Sequence, residues 1–506
     1  MLAAEAEISS WIAGWSRRTP GKLAIRFDGD EISYAELERR VSRLAGALAE
    51  RAAIGDGDRV AYLGQNAPEL LDLLFACARL GAILVPLSAR MPAPELEVVL
   101  GNTEPKLLLA EAPFAQTASE AGTALELRVI AFGGDAASAG LEALLDGAPE
   151  LPCNRDRPLD TPLLVINTSG TTGPPKGAVL THENLHFNAL NVAAALGMSA
   201  DDEVLANGPL FNTGPMNILT TPAFAAGATV TILREFDPGA SLEAIERHAV
   251  TLSIATPAMT KALISHERWD ATDLSSVRHV VTGSTTVREE VLAPWFERGV
   301  CVLQDYGLTE AMPVVTIVPA GDAHRLRATA GKPVAHCRVR IAADDGSPVE
   351  TGEEGEVLVQ GPTVMREYWR YPEATAEAFH DDWLRTGDAG CLDDEGVLRI
   401  VGRLDEVIIV GSCNVFPADV ESVLADCPQI AEAAVIGRPD DELGEVVVAF
   451  VVLEPPDALS AGDVKRLFDG RLAEYKHPRD VIFVDALPRN DIGKVGADEL
   501  RRSLSP

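Results

Sequence analysis

Thr168-Ser169-Gly170-Thr171-Thr172-Gly173-Pro174-Pro175-Lys176-Gly177 follows the apolar run Leu163-Leu164-Val165-Ile166. Four consecutive aliphatic residues leave no solvent-facing position, so the run reads as a buried strand. The ten residues after it carry four hydroxyls, three glycines and one lysine, with no acidic side chain. Glycine lets backbone amides approach a ligand, hydroxyls add donors and the ammonium adds charge. Together they compose a cradle for phosphate oxygens. The stretch is not a mononucleotide P-loop: GxxxxGK[ST] cannot be fitted, because Lys176 follows Pro175 and precedes Gly177.

On the N-terminal side the chain alternates strands with helices. Ser33 to Ala49 reads as a helix with a Ser33-x-x-Glu36 cap and Leu37, Val41, Leu44 and Leu48 on one face. Arg59 to Leu63 and Ile83 to Leu87 read as strands around a Pro68 to Leu80 helix that Gly81 stops. A helix near Glu95 to Leu100 and a strand Lys106 to Ala110 follow. Such alternation predicts parallel sheets covered on both faces. Residues 133 to 160, rich in Gly, Ala, Pro and Asp, read as a connection between two sub-domains.

Beyond the phosphate cradle the alternation resumes, with strands near Val204, Val230, Leu252 and Val280. From Gly331 to Ile400 short strands with turns at Asp345-Gly346 and Glu395-Gly396 predict an antiparallel, barrel-like unit. After Arg403 the pattern changes again. Strands at Val407 to Val410, Ala433 to Gly437, Val446 to Leu453 and Val481 to Val484, with helices at Pro417 to Leu424 and Ala461 to Glu474, predict a compact α+β domain. The predicted fold is therefore α/β. Residues 1–403 form a large domain of two layered α/β sub-domains plus the antiparallel unit, and residues 404–506 form a small mobile domain.

Composition limits the function classes. At 506 residues the chain exceeds one ordinary core, and 47% hydrophobic with 24% charged residues is a soluble globular balance. No apolar run approaches the roughly 20 residues that span a bilayer, and the N-terminus has no basic segment leading into an apolar one. Seven cysteines without paired spacing predict a reducing cytoplasm, with no disulfide framework or zinc site. A net charge of −33 excludes nucleic acid and anionic membrane as expected partners. It also means that any site for ATP must overcome a repulsive background with local cations, backbone amides and a divalent metal.

Four further stretches occur in order after the cradle: Tyr306-Gly307-Leu308-Thr309-Glu310, Arg385-Thr386-Gly387-Asp388, Gly402-Arg403-Leu404-Asp405, and Pro488-Arg489-Asn490-Asp491-Ile492-Gly493-Lys494. With the cradle, the set resembles the acyl-adenylate-forming superfamily of acyl-CoA synthetases, amino-acid adenylation domains and firefly luciferase, over nearly the whole chain. The resemblance implies an AMP-forming acid ligase that uses ATP, Mg²⁺ and coenzyme A, with small-molecule partners; a homodimer stays open. Thr168, Ser169, Gly170, Thr171, Thr172, Gly173 and Lys176 would hold the β- and γ-phosphates. Thr309 would bind the α-phosphate, and Glu310 the metal. Tyr306 would stack on adenine, with the backbone of Asp305 and Gly307 around it. Asp388 would accept both ribose hydroxyls, and Arg403 would add a ribose or phosphate contact. Lys494 would bridge the carboxylate and the α-phosphate in the transition state, and Asp405 would be a hinge.

The same resemblance puts Phe211, Asn212, Met216, Thr256, Gly283, Ser284 and Thr285 around the acyl group, and Gly411 and Ser412 along the pantetheine tunnel. Three departures from the family pattern bear on specificity. Asn212 stands where relatives usually have histidine. Ser284-Thr285 stands where many have Gly-Ala, which makes the pocket floor narrower and more polar. Ser412 stands in place of a tunnel glycine. A small or polar acid, with a hydroxylated aromatic one included, fits such a pocket better than a long fatty chain. Two other readings remain: transfer of a carboxylic or inorganic oxyacid such as nitrite to a carrier protein or amine, and a non-catalytic nucleotide-binding protein.

Overall fold

The computed structural model describes residues 7–134, 138–153, 156–168, 176–283, 289–327, 329–410, 413–440, 443–454, 459–489 and 495–504. Its packing divides into two compact units, Met1–Val339 with Val359–Leu384, and Arg340–Leu358 with Arg385–Pro506.

The first unit contains two sheets with parallel centres. In the seven-stranded one the order is Glu367–Tyr368, Lys176–Thr181, Pro162–Thr168, Ile83–Leu87, Arg59–Leu63, Leu107–Glu111, Arg128–Phe132. The strands Arg59–Leu63 and Ile83–Leu87 and the helix Pro68–Leu80 have the bounds expected from sequence. Local chemistry explains why. Pro68 starts the helix without sacrificing a hydrogen bond, and Gly81 ends it at φ +70°, where a Cβ would be strained. Ser33 caps the next-earlier helix, Tyr34–Ala52, by accepting from the Glu36 amide at 3.2 Å.

The nine-stranded sheet runs Lys332–Pro333, Thr316–Ile317, Cys301–Tyr306, His279–Thr282, Leu252–Ile254, Glu203–Ala206, Thr229–Ile232, Leu23–Phe27, Asp30–Ser33. The pairs from Cys301–Tyr306 to Leu23–Phe27 are parallel, and both edges turn antiparallel. Val280, Val302 and Leu205 pack on one face with Leu242, Leu292 and Trp295 in a single apolar cluster. The C-terminal ends of the parallel strands lie along one edge, the usual place for ligands in such sheets.

From Arg385 onward the second unit contains an antiparallel pair, the strand Trp383–Leu392 with Leu398–Arg403, within a five-stranded sheet. It also holds the sheet Cys413–Val415, Ile408–Val410, Gly444–Leu453, Ile430–Asp440, with Asp480–Phe483 beside Gly444–Leu453. The helix Pro417–Ala425 covers the latter sheet through Val420 and Leu424. Two expectations need correction. The helix foreseen from Ala461 to Glu474 spans only Ala461–Arg466; the segment that follows bends, and Gly470 takes a left-handed φ of +71°. The connection at residues 133–160 contains a helix, Ser138–Leu145, which its glycines and alanines concealed. Among the described residues no helix is long and apolar enough to cross a membrane.

Candidate active site

The strands on either side of the expected phosphate cradle pair with one another. Pro162–Thr168 and Lys176–Thr181 pair antiparallel with Thr168 opposite Lys176, and the Thr168 hydroxyl donates to the Lys176 carbonyl at 3.3 Å. Lys176 thus begins a strand and not a helix, unlike the lysine of a P-loop. Ser169, Gly170, Thr171, Thr172 and Gly173 lie outside the described residues.

The strand beside that hairpin supplies a residue the sequence reading missed. Glu367–Tyr368 pairs with Lys176–Thr181, Tyr368 opposite Ala178. The Tyr368 hydroxyl donates to Oε1 of Glu310 at 2.8 Å, while the Lys176 ammonium lies 5.5 Å from the centroid of the Tyr368 ring. The Glu310 carbonyl accepts from the Met365 amide at 2.6 Å. Glu310 and Thr309 occupy a single 3₁₀ turn, Thr309–Ala311, so backbone and side chain of Glu310 are both held. Nothing in the pattern Glu367-Tyr368-Trp369 announces this role, because tyrosine in a short strand is ordinary packing.

A carboxylate with one oxygen tied to a phenol keeps hard anionic lone pairs for a cation, which suits Mg²⁺. Among the described residues no three metal-binding side chains cluster. Mg²⁺ held by one carboxylate, water and the nucleotide's own phosphates requires no such cluster.

The strand Cys301–Tyr306 leads into this turn. Gly307 is obligatory, since a Cβ there would come within 2.3 Å of the Pro313 carbonyl oxygen. Met312, buried directly after the turn, has φ +58° and ψ 161°, a conformation only glycine adopts freely. Asp305 is 9% exposed, and among the described residues its Oδ1 has no hydrogen-bond partner. Burial pushes its carboxyl up to about 8. A Cβ on Gly283, at the end of the neighbouring strand, would fall 2.3 Å from that Oδ1.

Of the residues expected around the acyl group, Thr256 and Gly283 follow closely on strands of this sheet, and the turn that Met216 opens packs on two of its strands. Asn212 precedes the turn Thr213–Pro215 with its carbonyl accepting from the Met216 amide at 3.1 Å, and Thr256 caps Pro257–Ile264 by accepting from the Met259 amide at 3.3 Å. Met216 is buried and opens a π-helical turn, Met216–Thr220. Such a turn displaces carbonyls from their ordinary partners. Here Asn188 Nδ2 donates to the Asn217 carbonyl at 2.6 Å and the Thr220 hydroxyl to that of Pro215 at 2.9 Å. Asn188 was missed because an amide in a helix carries no signal of the backbone it satisfies. Phe211 is half-buried beside Asn212, while Ser284 and Thr285 lie outside the described residues.

In the second unit, Asp388 and Arg403 face one another across the Trp383–Leu392 and Leu398–Arg403 strands. Arg403 Nη1 donates to Asp388 Oδ1 at 3.1 Å and to the Thr386 carbonyl at 3.0 Å, while its Nε donates to Asp405 Oδ1 at 3.1 Å. Burial works against the guanidinium charge, but Asp388 and Asp405 outweigh it and raise its pKa. Glu356, also unforeseen, accepts from Arg385 Nε at 2.9 Å and from the Gly387 amide at 3.2 Å, which fixes the turn before Asp388. Arg489 and Val495 form an antiparallel bridge, and the Gly496 amide donates to the Pro488 carbonyl at 2.9 Å. Lys494, Gly411 and Ser412 lie outside the described residues.

The chain is similar to known proteins over most of its length. The AMP-binding enzyme family matches residues 12–369, and the AMP-binding enzyme C-terminal domain matches residues 419–494. The chain is 44% identical to the indoleacetate–CoA ligase of Aromatoleum aromaticum over 99% of this chain and 98% of that one. It is 39% identical to a feruloyl-CoA synthase of an Amycolatopsis species, covering 98% of each. The crystal structure of ATP-bound MatB from Rhodopseudomonas palustris superposes with a TM-score of 0.92 at 31% identity, over 99% of both chains.

Proposed function

This chain belongs to the AMP-binding enzyme family and is an ATP-dependent, AMP-forming acid–CoA ligase; we propose that its acid is aromatic and that the residues gathered above divide the two half-reactions as follows. In the first, a carboxylate oxygen attacks the α-phosphorus of ATP, the new oxygen–phosphorus bond forms and pyrophosphate leaves. Lys176 and the hydroxyls of residues 168 to 172 hold the β- and γ-phosphates, Thr309 binds the α-phosphate, and Tyr306 stacks on adenine. Asp388 accepts from the ribose hydroxyls with Arg403 beside it. Lys494 supplies charge where it develops in the transition state. Glu310 would hold Mg²⁺, which would supply positive charge against the phosphates.

In the second half-reaction the thiol of coenzyme A loses its proton to solvent, its sulfur attacks the acyl carbonyl, and the acyl carbon–oxygen bond to phosphate breaks as AMP leaves. Asp405 serves as the hinge between the two chemistries, and Gly411 and Ser412 flank the route of the thiol. The free state of all seven cysteines supports a reducing, cytoplasmic setting.

The observation that carries the assignment of roles is the line Lys176–Tyr368–Glu310. One tyrosine has an ammonium near its ring and a carboxylate on its hydroxyl, the charges a metal–triphosphate needs. An aromatic acid is supported by the substrates named for the two relatives, indoleacetate and ferulate, both aryl acids. The test is acid-dependent ATP–pyrophosphate exchange and CoA-dependent AMP release with aryl acids against aliphatic acids of equal length. Aryl acids should lead in both assays. A leading aliphatic acid would overturn the aromatic assignment, and AMP release indifferent to CoA would overturn the acceptor.

A further inference from the structure

Asp305 is the one acid at the carboxyl edge of the nine-stranded sheet whose buried side-chain oxygen lacks a partner among the described residues. An unsatisfied buried carboxyl is costly unless a ligand completes it. Two ligands could do so, the adenine amino group and the acid.

The strand decides between them. Successive side chains on a strand point to opposite faces. Val280 and Val302, at even positions of neighbouring strands, belong to the cluster with Leu242, Leu292 and Trp295. Val280 is paired with Val302 and Thr282 with Gln304, so Gly283 and Asp305 share the opposite face. Their closeness agrees: the missing Cβ of Gly283 would lie 2.3 Å from Asp305 Oδ1. The Met216–Thr220 turn packs against the Glu203–Ala206 and Leu252–Ile254 strands, and none of its residues joins the Trp295 cluster. It therefore covers the face of Asp305. The side chain of Tyr306, the residue expected to stack on adenine, departs to the other side. On Asp305's face the nearest strand residues, Ile254, Val281 and Leu303, are apolar, with Leu252, His279 and Cys301 further toward the strand starts, so the carboxyl is a polar point at the rim of an apolar wall.

We propose that the Asp305 side chain is a specificity-determining residue of the acid site, where its unpaired oxygen accepts a hydrogen bond from an N–H or O–H group on the aromatic acid. The inference rests on the acid being aromatic, as proposed above. Indoleacetate carries such a donor on its ring nitrogen and ferulate on its phenol. Gly283 is part of the device, because any side chain there would displace the carboxyl.

The experiment compares kcat/KM in pyrophosphate exchange for matched acids: indole-3-acetate against 1-benzothiophene-3-acetate, and 4-hydroxycinnamate against 4-methylcinnamate. A site built around a donor rejects an analogue lacking it because a buried polar group is left unpaired. Wild type should favour the donor acid of at least one pair by about 10- to 1000-fold. Asp305→Leu should bring that ratio to within about threefold, chiefly by losing the donor acid. Asp305→Asn, which keeps an acceptor, should retain most of it. Aryl acids accepted by wild type without preference overturn the inference and leave the aromatic assignment standing. A preference unchanged in Asp305→Leu does the same, as does a uniform rise in the KM for ATP with the acid ratio intact, which would hand the carboxyl to adenine. If wild type activates no aryl acid but does activate aliphatic ones, both readings fall together.

Discussion

The Tyr368 hydroxyl donates to Oε1 of Glu310 at 2.8 Å, and the same ring lies 5.5 Å from the Lys176 ammonium. One side chain from a two-residue strand thereby positions the carboxylate assigned to the metal and the cation assigned to the phosphates. The two contacts can be separated. Tyr368→Phe removes the hydrogen bond and keeps the ring, whereas Tyr368→Leu removes both. A hydrogen bond to a charged group contributes about 1.5–3 kcal/mol. Tyr368→Phe should therefore weaken the Mg²⁺ dependence of exchange by about tenfold, and Tyr368→Leu should in addition raise the KM for ATP. Equal Mg²⁺ titrations for wild type and Tyr368→Phe would remove Tyr368 from this role.

Asp388 and Arg403 lend themselves to a ligand-based test. Asp388 Oδ1 already accepts from Arg403 at 3.1 Å, and an aspartate keeps further lone pairs for ribose hydroxyls. With wild type, 2′-deoxy-ATP should be a poorer substrate than ATP by about tenfold, one hydrogen bond to a charged acceptor. Asp388→Asn should narrow that gap while raising the KM for both nucleotides. A gap of equal size in the variant would show that Asp388 does not bind the ribose.

Much of this was legible in residues, and the limits have physical causes. Strands such as Arg59–Leu63 and Ile83–Leu87 could be bounded because proline and glycine set the adjoining helix ends through local backbone chemistry. The five motifs could be found because phosphate and ribose contacts demand particular residue types at short spacings. Tyr368, Glu356 and Asn188 act instead across 58, 31 and 29 residues of chain, on Glu310, the Gly387 amide and the Asn217 carbonyl. Spacing within a motif cannot encode such partners. Asp305 was read for its backbone alone, since the orphaned state of its side chain emerges only from packing against Gly283.

That buried carboxyl also sets a pH dependence. Burial pushes Asp305 from 3.8 up to about 8 in the folded protein. An acid whose folded pKa is raised contributes stability that is fully present below its unfolded pKa and lost as pH rises through the folded one. The slope is at most about 1.4 kcal/mol per pH unit between those limits. Asp305→Asn stays neutral and removes it. Without substrate, the melting temperature of Asp305→Asn minus that of wild type should grow from pH 5 to pH 8. A difference constant across that range would place the carboxyl's proton elsewhere.

The hinge role of Asp405 predicts an unequal effect on the two half-reactions. Arg403 Nε donates to its Oδ1 at 3.1 Å, in the middle of the turn Leu404–Glu406. Proline fixes φ near about −65° and should confine the backbone there to one setting. In single-turnover assays, Asp405→Pro should depress either adenylate formation or acyl transfer to CoA at least about tenfold more than the other, a difference of roughly 1.4 kcal/mol in barrier. Matching losses in the two steps would mean that Asp405 is structural support and not a hinge.

Lys494 offers the sharpest separation of binding from chemistry. The residues that flank its segment pair with one another, Arg489 with Val495 in an antiparallel bridge and the Gly496 amide with the Pro488 carbonyl at 2.9 Å. Charge that matters only as pyrophosphate departs lowers the barrier without tightening the ground state. Lys494→Ala should therefore leave the dissociation constant for ATP within about threefold of wild type and slow acid-dependent exchange by roughly 100- to 1000-fold, the usual loss for one electrostatic contact to a transition state. Lys494→Arg keeps the charge but swaps a compact ammonium for a broad planar fork, and should recover only part of the rate. Exchange by Lys494→Ala within about tenfold of wild type, well short of that loss, would take this side chain out of the adenylation step.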